Sequence, residues 1–293
     1  MAKMTNNQTH RQSMVHVIFY RFLHDKQAML GTCIIFILLF IAAFANFLAP
    51  ANPVFQQNYS AILIDPGTSQ YLLGSDELGR DILSRLIYGS RFTLAAAVLP
   101  VFFALLIGVP IGLYAGFKGG IMDQWVIMRI VDAFQAFPSL ILALALAAML
   151  GGGFANAMLA IGIGFLPNFI RITRSQVISI RNLEYIQAAK SIGCTNMRIV
   201  FVHILPNVIP ILLVQTTLSM ATAIIAEAGL SYIGIGASPE QPSWGSMLRT
   251  AQGFLSVQPW MAFWPGISIS AVVLGFNLFG DGLRRAIDSK IRH

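Results

Sequence analysis

From residue 92 to residue 117 the chain reads FTLAAAVLPVFFALLIGVPIGLYAGF, an apolar run bounded by Arg91 and Lys118 and free of acids and bases. A helix needs about 20 mostly apolar residues to cross about 30 Å of hydrocarbon, and this run satisfies the requirement. Pro100 and Pro110 would break such a helix in water. In a bundle, neighbouring helices and hydroxyl groups satisfy the carbonyls that the prolines free. The stretch therefore reads as a transmembrane helix, and the whole chain agrees. Of 293 residues, 56% are hydrophobic and 11% charged, with a mean hydropathy of +0.70. A soluble domain carries roughly 25% charge. So few ionic groups cannot solvate a water-soluble surface, which excludes an ordinary cytosolic enzyme, a disordered chain and a secreted disulfide scaffold. An outer-membrane barrel is excluded as well, because it alternates in strands of about ten residues.

Working outward, five further segments qualify as spans: Ala28–Ala49, Val131–Leu150, Phe154–Ile170, Asn207–Ala226 and Trp260–Phe279. The expected fold is all-α, a polytopic membrane bundle of six transmembrane helices. The short fourth span fits a helix that runs on into Arg171 and Arg174, and Pro138, Pro167, Pro210 and Pro265 fall inside spans like the two prolines above. Residues 1–27 form a polar N-terminal tail. The run at 28–49 outlasts the apolar core of about 7–15 residues in a secretory signal, so it reads as an uncleaved anchor despite the cleavage-like Ala43-Phe44-Ala45. Gly108, Gly112 and Gly116 share one helix face and allow another helix to approach closely.

The net charge is +7, a balance that suits nucleic acid or a membrane protein with its basic residues held inside. Location separates the two. With the N-terminus inside, the inner side holds Lys3, Arg11, Arg21, Lys26, Lys118, Arg129, Arg171, Arg174, Arg181, Lys190, Arg198, Arg284, Arg285, Lys290 and Arg292. The outer side holds Arg80, Arg85, Arg91 and Arg249. This is a positive-inside signature with both termini cytoplasmic, and the nucleic-acid reading falls away.

Two outer segments exceed a turn. Within residues 50–91, Ser75-Asp76-Glu77 is a helix start whose acids suit the positive end of the dipole. Leu78, Ile82 and Leu86 then share a face, and Asp81 can pair with Arg85 at i,i+4. The expectation is an amphipathic helix, at the outer interface or plugging a bundle edge. Gly74 to Asp81 superficially resembles a phosphate-binding loop, but arginine replaces the lysine and Asp81 stands where a hydroxyl should meet magnesium. Its three acids would also repel phosphate. Residues 232–259, with Pro239, Pro242 and Trp244, read as an ordered loop.

The inner segment at 171–206 is the most informative. Glu184 to Ile192 has helix formers, with Ala188 and Ala189 together, and Gly193 follows where a left-handed residue is wanted. Thr195 or Asn196 can cap a second short helix, which Pro206 closes. The result is a projecting helix–turn–helix whose small residues permit close approach by a grooved partner, or else a structural connector.

At these residues the chain resembles the inner-membrane permease subunits of ATP-binding-cassette (ABC) importers. Their hallmark is Glu-Ala-Ala, three residues, Gly, nine residues, Ile, any residue and Leu-Pro. Here Gln187-Ala188-Ala189, Gly193, His203 and Leu205-Pro206 keep the spacing, with Gln187 replacing the glutamate and His203 the isoleucine. Further blocks resemble the subgroup importing dipeptides, oligopeptides, glutathione or nickel chelates, specifically its C-type subunit. They are Leu73 to Asp81, Asp132 to Pro138, Gly229 to Gly236, Trp244 to Leu248 and Phe276 to Leu283. The resemblance implies a type I importer-like transmembrane domain over 92–293, with a coupling loop at about 181–206. It implies that Ala188, Ala189 and Gly193 form a knob docking into a cytoplasmic ATPase, with Leu205-Pro206 tying it to the fifth span. It also implies the partners: a second homologous permease in a heterodimer, two cytoplasmic ATP-binding subunits that carry the hydrolysis, and a periplasmic or extracellular substrate-binding protein, all at a bacterial inner membrane.

Other chemistry is sparse. Membrane-buried acids are functional candidates by default; Asp132 stands three residues after Arg129, and Glu227 at the outer end of the fifth span, so interfacial pairing is favoured over a proton relay. Cys33 and Cys194 read as packed or interfacial thiols. His10, His16, His24 and His203 lack ligand spacing, and no span contains histidine, which disfavours an intramembrane enzyme. No cofactor or metal is expected. A secondary transporter or channel is the alternative; it requires activity from this chain alone and coupling groups at mid-depth. A purely structural membrane subunit stays open on residues alone.

Overall fold

The computed structural model describes residues 14–50, 52 and 56–288. Lys3, His10, Arg11, Lys290 and Arg292 lie outside the described residues. The helices are α1 (Met14–His24), α2 (Lys26–Ala43), α3 (Ala45–Leu48), α4 (Ile82–Lys118), α5 (Met128–Gln135), α6 (Ser139–Met149), α7 (Phe154–Arg181), α8 (Glu184–Ser191), α9 (Asn196–Arg198), α10 (Leu205–Ile233), α11 (Trp244–Gln252) and α12 (Trp260–Asp288). Wider π-helical turns at Met122–Ile127 and Ile199–Ile204 lead into α5 and α10. Among the described residues the only β pairing is an isolated bridge between Ser75 and Asp81.

Five helices are long and apolar enough to cross a membrane, and a sixth span is broken, its halves Met122–Gln135 and Ser139–Met149 bent by 93°. Hydrogen bonds fix how the chain threads between the two ends of the bundle. Arg91 Nε donates to Ala42 O at 2.8 Å, Trp244 Nε1 to Leu86 O at 3.0 Å, and Gly153 N to Ile235 O at 2.8 Å. The end of α2, the starts of α4 and α7, and the end of α10 therefore share one end, termed here the Trp244 end. At the other end, Arg181 Nη1 donates to Gly116 O at 2.7 Å, and Arg285 Nε to Asp25 Oδ2 at 2.7 Å. α4 and α7 both run toward this Arg181 end, so the bent pair must carry the chain back between them. It crosses once, and the crossings number six.

The third span, expected over Val131–Leu150 with Pro138 inside it, is a broken one. The residue before a proline is pushed out of the α region, and α5 stops at Gln135 just ahead of Pro138, which sits at φ −56°, ψ 129°. The expected Arg129–Asp132 pair also gives way. Asp132 Oδ1 accepts from Arg171 Nη2 at 2.8 Å, while Arg129 lies 5.4 Å over the Trp125 ring.

α4 and α7 form the centre of the bundle. A Cβ added at Gly108, Gly112 or Gly116 would stand 2.9, 2.6 and 2.6 Å from the Cβ atoms of Phe169, Thr173 and Val177. In a membrane there is no hydrophobic drive between helices, and such close packing is what holds them together. The expected glycine face is therefore the α4–α7 seam. Asp123, buried after α4, closes it with two bonds to Arg174 at 2.6 and 2.7 Å. A second seam joins α2 to α12, where a Cβ at Gly31 would meet Gly275 O and Phe279 N at 2.6 Å.

The Trp244 end is organised by buried charge rather than by the amphipathic helix expected at 75–86. α4 begins only at Ile82, capped by Asp81, whose Oδ2 accepts from Ser84 N at 2.8 Å. The Asp81–Arg85 pair does not form. Instead Asp76 Oδ1 accepts from Leu78 N and Arg80 N at 2.9 Å, its Oδ2 accepts from Arg80 Nε at 2.6 Å, and Arg85 Nη1 lies 3.6 Å away. Acids that read as a helix start are the floor of a tight turn, because Asp76 takes its donors from the backbone of Leu78 and Arg80 and from the Arg80 guanidinium, with the Arg85 charge alongside. Burial, and then the Asp76 charge, push the neighbouring Glu77 carboxyl above its ordinary range. Arg85 Nη2 continues to Pro239 O at 3.1 Å, joining this turn to the 232–259 segment. That segment, expected as loop throughout, contains α11, which is capped by Ser243 Oγ accepting from Ser246 N at 3.0 Å. Glu227, expected to pair at the interface, is buried and accepts from Ser231 Oγ at 2.7 Å.

Candidate functional site

The helix–turn–helix projects from the Arg181 end. Its base is set by Arg181, whose guanidinium satisfies the carbonyls of Gly116 and Phe117, at 2.7 and 3.3 Å, in the last turn of α4. α8 starts two residues beyond Asn182, and Gln187 Nε2 reaches back to Arg181 O at 3.4 Å.

α8 ends as the sequence predicts. Gly193 takes φ +83°, Cys194 N donates to Ala189 O at 3.1 Å and Gly193 N to Lys190 O at 3.0 Å. This pair of bonds is the Schellman pattern, and it needs a residue that tolerates a left-handed backbone. Thr195 then caps α9, its Oγ1 accepting from Arg198 N at 3.4 Å.

The second helix does not close at Pro206, as the sequence suggested. It runs unbroken from Asn196 to Ile233. A proline inside a helix removes one N–H and crowds the carbonyl four residues back. Here the wider turn at Ile199–Ile204 precedes it, and Pro206 falls in the first turn of α10. The projecting element is therefore continuous with a span.

The element has two faces. Ile186, Ala189, Ile199 and Ile204 turn inward and are buried in the same core cluster as the α4–α7 seam. Gln187, Ala188 and Gly193 are exposed, together with Ile192 and Met197, which are 81% and 67% exposed. Of the site residues, then, Gln187, Ala188 and Gly193 share the outer surface, and Ala189 packs beneath them. His203 is half-buried in the wide turn, where its carbonyl accepts from Asn207 Nδ2 at 2.7 Å. Leu205 packs against the core, and Pro206 is exposed. The sequence did not single out Ile192 or Met197; an apolar residue beside the αL glycine of a short polar helix is the signal that could have found Ile192.

Chemically the tip offers a small, apolar, rigidly turned knob. No carboxylate or histidine lies at it, and among the described residues no group of three or more His, Cys, Asp or Glu could hold a metal ion. Such a surface binds by shape.

Comparison with known proteins follows the same lines. Residues 108–293 match a family model described as the inner membrane component of binding-protein-dependent transport systems. Residues 13–66 match the N-terminal TM domain of oligopeptide transport permease C. The dipeptide transport system permease protein DppC of Haemophilus influenzae is 38% identical over 279 residues, covering 94% of each chain. DppC of Alkalihalophilus pseudofirmus is 43% identical over 268 residues, covering 92% of this chain and 87% of that one. The glutathione transport system permease protein GsiD of Pectobacterium atrosepticum is 38% identical over 272 residues, covering 93% and 90%. Among solved structures, the inward-facing MetNI methionine ABC transporter shares the fold with a TM-score of 0.58 and 22% identity, over 70% of this chain and 97% of that one.

Proposed function

Since the chain belongs to the family of inner membrane components of binding-protein-dependent transport systems, we propose that it is the C-type permease of an ATP-driven importer for dipeptides, oligopeptides or related solutes such as glutathione or nickel chelates. With a second, homologous permease it forms the translocation path. It performs no chemistry itself. Two ATP-binding subunits dock at the Arg181 end and hydrolyse ATP, and a substrate-binding protein delivers solute at the Trp244 end. The excess of lysine and arginine near the Arg181 end supports placing that end, with both termini, in the cytoplasm of a bacterial cell. The names of the relatives support the peptide and glutathione classes.

One observation carries the docking role: the knob of Ala188, Ile192 and Gly193 is exposed, while the opposite face of the same element is locked into the bundle core. A force applied at the knob has two stiff routes inward. The first is Arg181, which bonds the base of α8 to the end of α4. The second is the unbroken Asn196–Ile233 helix. Glycine contacts fasten α4 to α7, so force arriving at α4 moves both, and the motion is a rigid-body switch between two packed states rather than a graded deformation. ATP-bound partners that close on the knob bias that switch by their differential affinity for the two states.

Affinity purification of the chain from its native membrane tests the reading. The expected result is co-purification of a second permease and ATP-binding chains, with the yield of the ATP-binding chains falling for Ala188→Trp. A chain that purifies alone in mild detergent and transports without ATP would instead fit a secondary transporter.

A further inference from the structure

Between the last turns of α4 and the helix–turn–helix lies a groove of about 630 Å³. Its walls are apolar: Leu113 and Phe117 from α4 face Met197, Val200 and Phe201. Pro110 also lines it, so it reaches two turns up α4 from Lys118, about 12 Å along the axis. Its mouth is basic. Lys118 Nζ lies 5.3 Å over the Tyr114 ring and Lys190 Nζ 5.6 Å over the Phe117 ring. Neither lysine has an ion-pair partner among the described residues, and no acid lines the groove.

We propose that this groove binds one anionic phospholipid, its phosphate between Lys118 and Lys190 and an acyl chain against Leu113, Phe117, Val200 and Phe201. A water-soluble partner would have to carry apolar chain two turns into the spanning part of α4. A helix from another membrane protein would bury both ammonium groups against apolar walls, which is costly without acids to match them. A lipid brings the apolar chain and the anion in one molecule, and lysine stems lie along apolar surface with their heads at the interface. The site joins α4 to α8 and α9, so the lipid is a ligand of the same element that carries the knob. Its binding does not depend on whether the knob docks.

The test uses the full-length protein, delipidated in detergent and titrated with phosphatidylglycerol or phosphatidylcholine under native mass spectrometry. The expected result is preferential retention of one phosphatidylglycerol. Lys118→Gln and Lys190→Gln should each weaken it about fivefold, with arginine at either position restoring it. Val200→Trp, which fills the apolar floor and leaves both lysines in place, should also weaken it. Equal retention of the two lipids, or glutamine variants that hold phosphatidylglycerol like the parent chain, would overturn the proposal. So would high-yield disulfide cross-linking of Phe201→Cys, one turn beyond Met197 along the groove, to another protein chain in the assembled importer, because a protein would then fill the groove.

Discussion

At Gly193 the backbone turns through φ +83°, and that torsion sets Ala188 and Ile192 on one side of a turn from Thr195 and Met197 on the other. A Cβ at this position would meet nothing within 4 Å, so the glycine is required for its torsion and not for space. Gly193→Pro forces φ near −65° and removes the N–H bonded to Lys190 O, a strain on the order of 1–3 kcal/mol. It should abolish ATP-coupled uptake while the protein still inserts, measured as uptake per inserted chain in vesicles carrying the full importer. Gly193→Ala, which is strained but not blocked, should fall between. Ala188 and Ala189 part company here. Ala188→Trp adds bulk to an exposed tip and should impair docking alone, whereas Ala189→Trp overpacks a buried position and should lower thermal stability by about 1–3 kcal/mol. The two alanines look alike in sequence because alanine suits both a buried face and a close contact. Gly193 was legible because helix formers followed by a glycine have few other readings.

At the scale of elements, the α4–α7 seam rests on close approach at three glycines. Gly112→Leu would drive a side chain into Thr173 and the Ile170 carbonyl, within 2.6–2.7 Å of its Cβ. It should destabilise the detergent-solubilised protein by more than the 1–3 kcal/mol typical of overpacking, read as a fall in unfolding temperature. Arg85→Ala should loosen the opposite end by about 1–3 kcal/mol, because Pro239 O loses its shorter bond and keeps only Arg80 Nη1 at 3.5 Å, while Asp76 stays paired with Arg80. Proteolysis of residues 232–259 in intact vesicles should then accelerate. The glycine seam was readable from a four-residue spacing. The Asp76 turn was not, since acids ahead of an apolar helix are also the signature of a helix start, and Arg80, which bonds Asp76 in the turn, stands at the same i+4 spacing a helix would use. Prolines divide in the same way. Pro138 breaks its span, whereas Pro206 sits in a helix that a preceding wide turn lets pass.

Across the whole molecule, six crossings return the chain to the end where it began, and Arg285 bonds Asp25 there at 2.7 Å. That hydrogen bond, with help from Ala28 N–H, holds the Asp25 carboxyl below its ordinary value. A lowered folded-state pKa means the contribution is present above the usual carboxylate range and is lost as pH falls through the lowered value. Thermal stability should therefore decline at acid pH, and Asp25→Asn should flatten part of that decline. The number of spans was legible from the apolar runs, because lipid demands about 20 apolar residues per crossing whether or not a proline bends them. The continuity of the knob with a span was not, because it depends on how a helix passes a proline. On the proposed function, this chain is a passive permease moved by ATPases docked on that knob. Uptake into proteoliposomes of the solute carried by the co-purifying binding protein tests it most directly. Accumulation is expected only with ATP and with the complete set of partner subunits. Accumulation by this chain alone, without ATP, would contradict it.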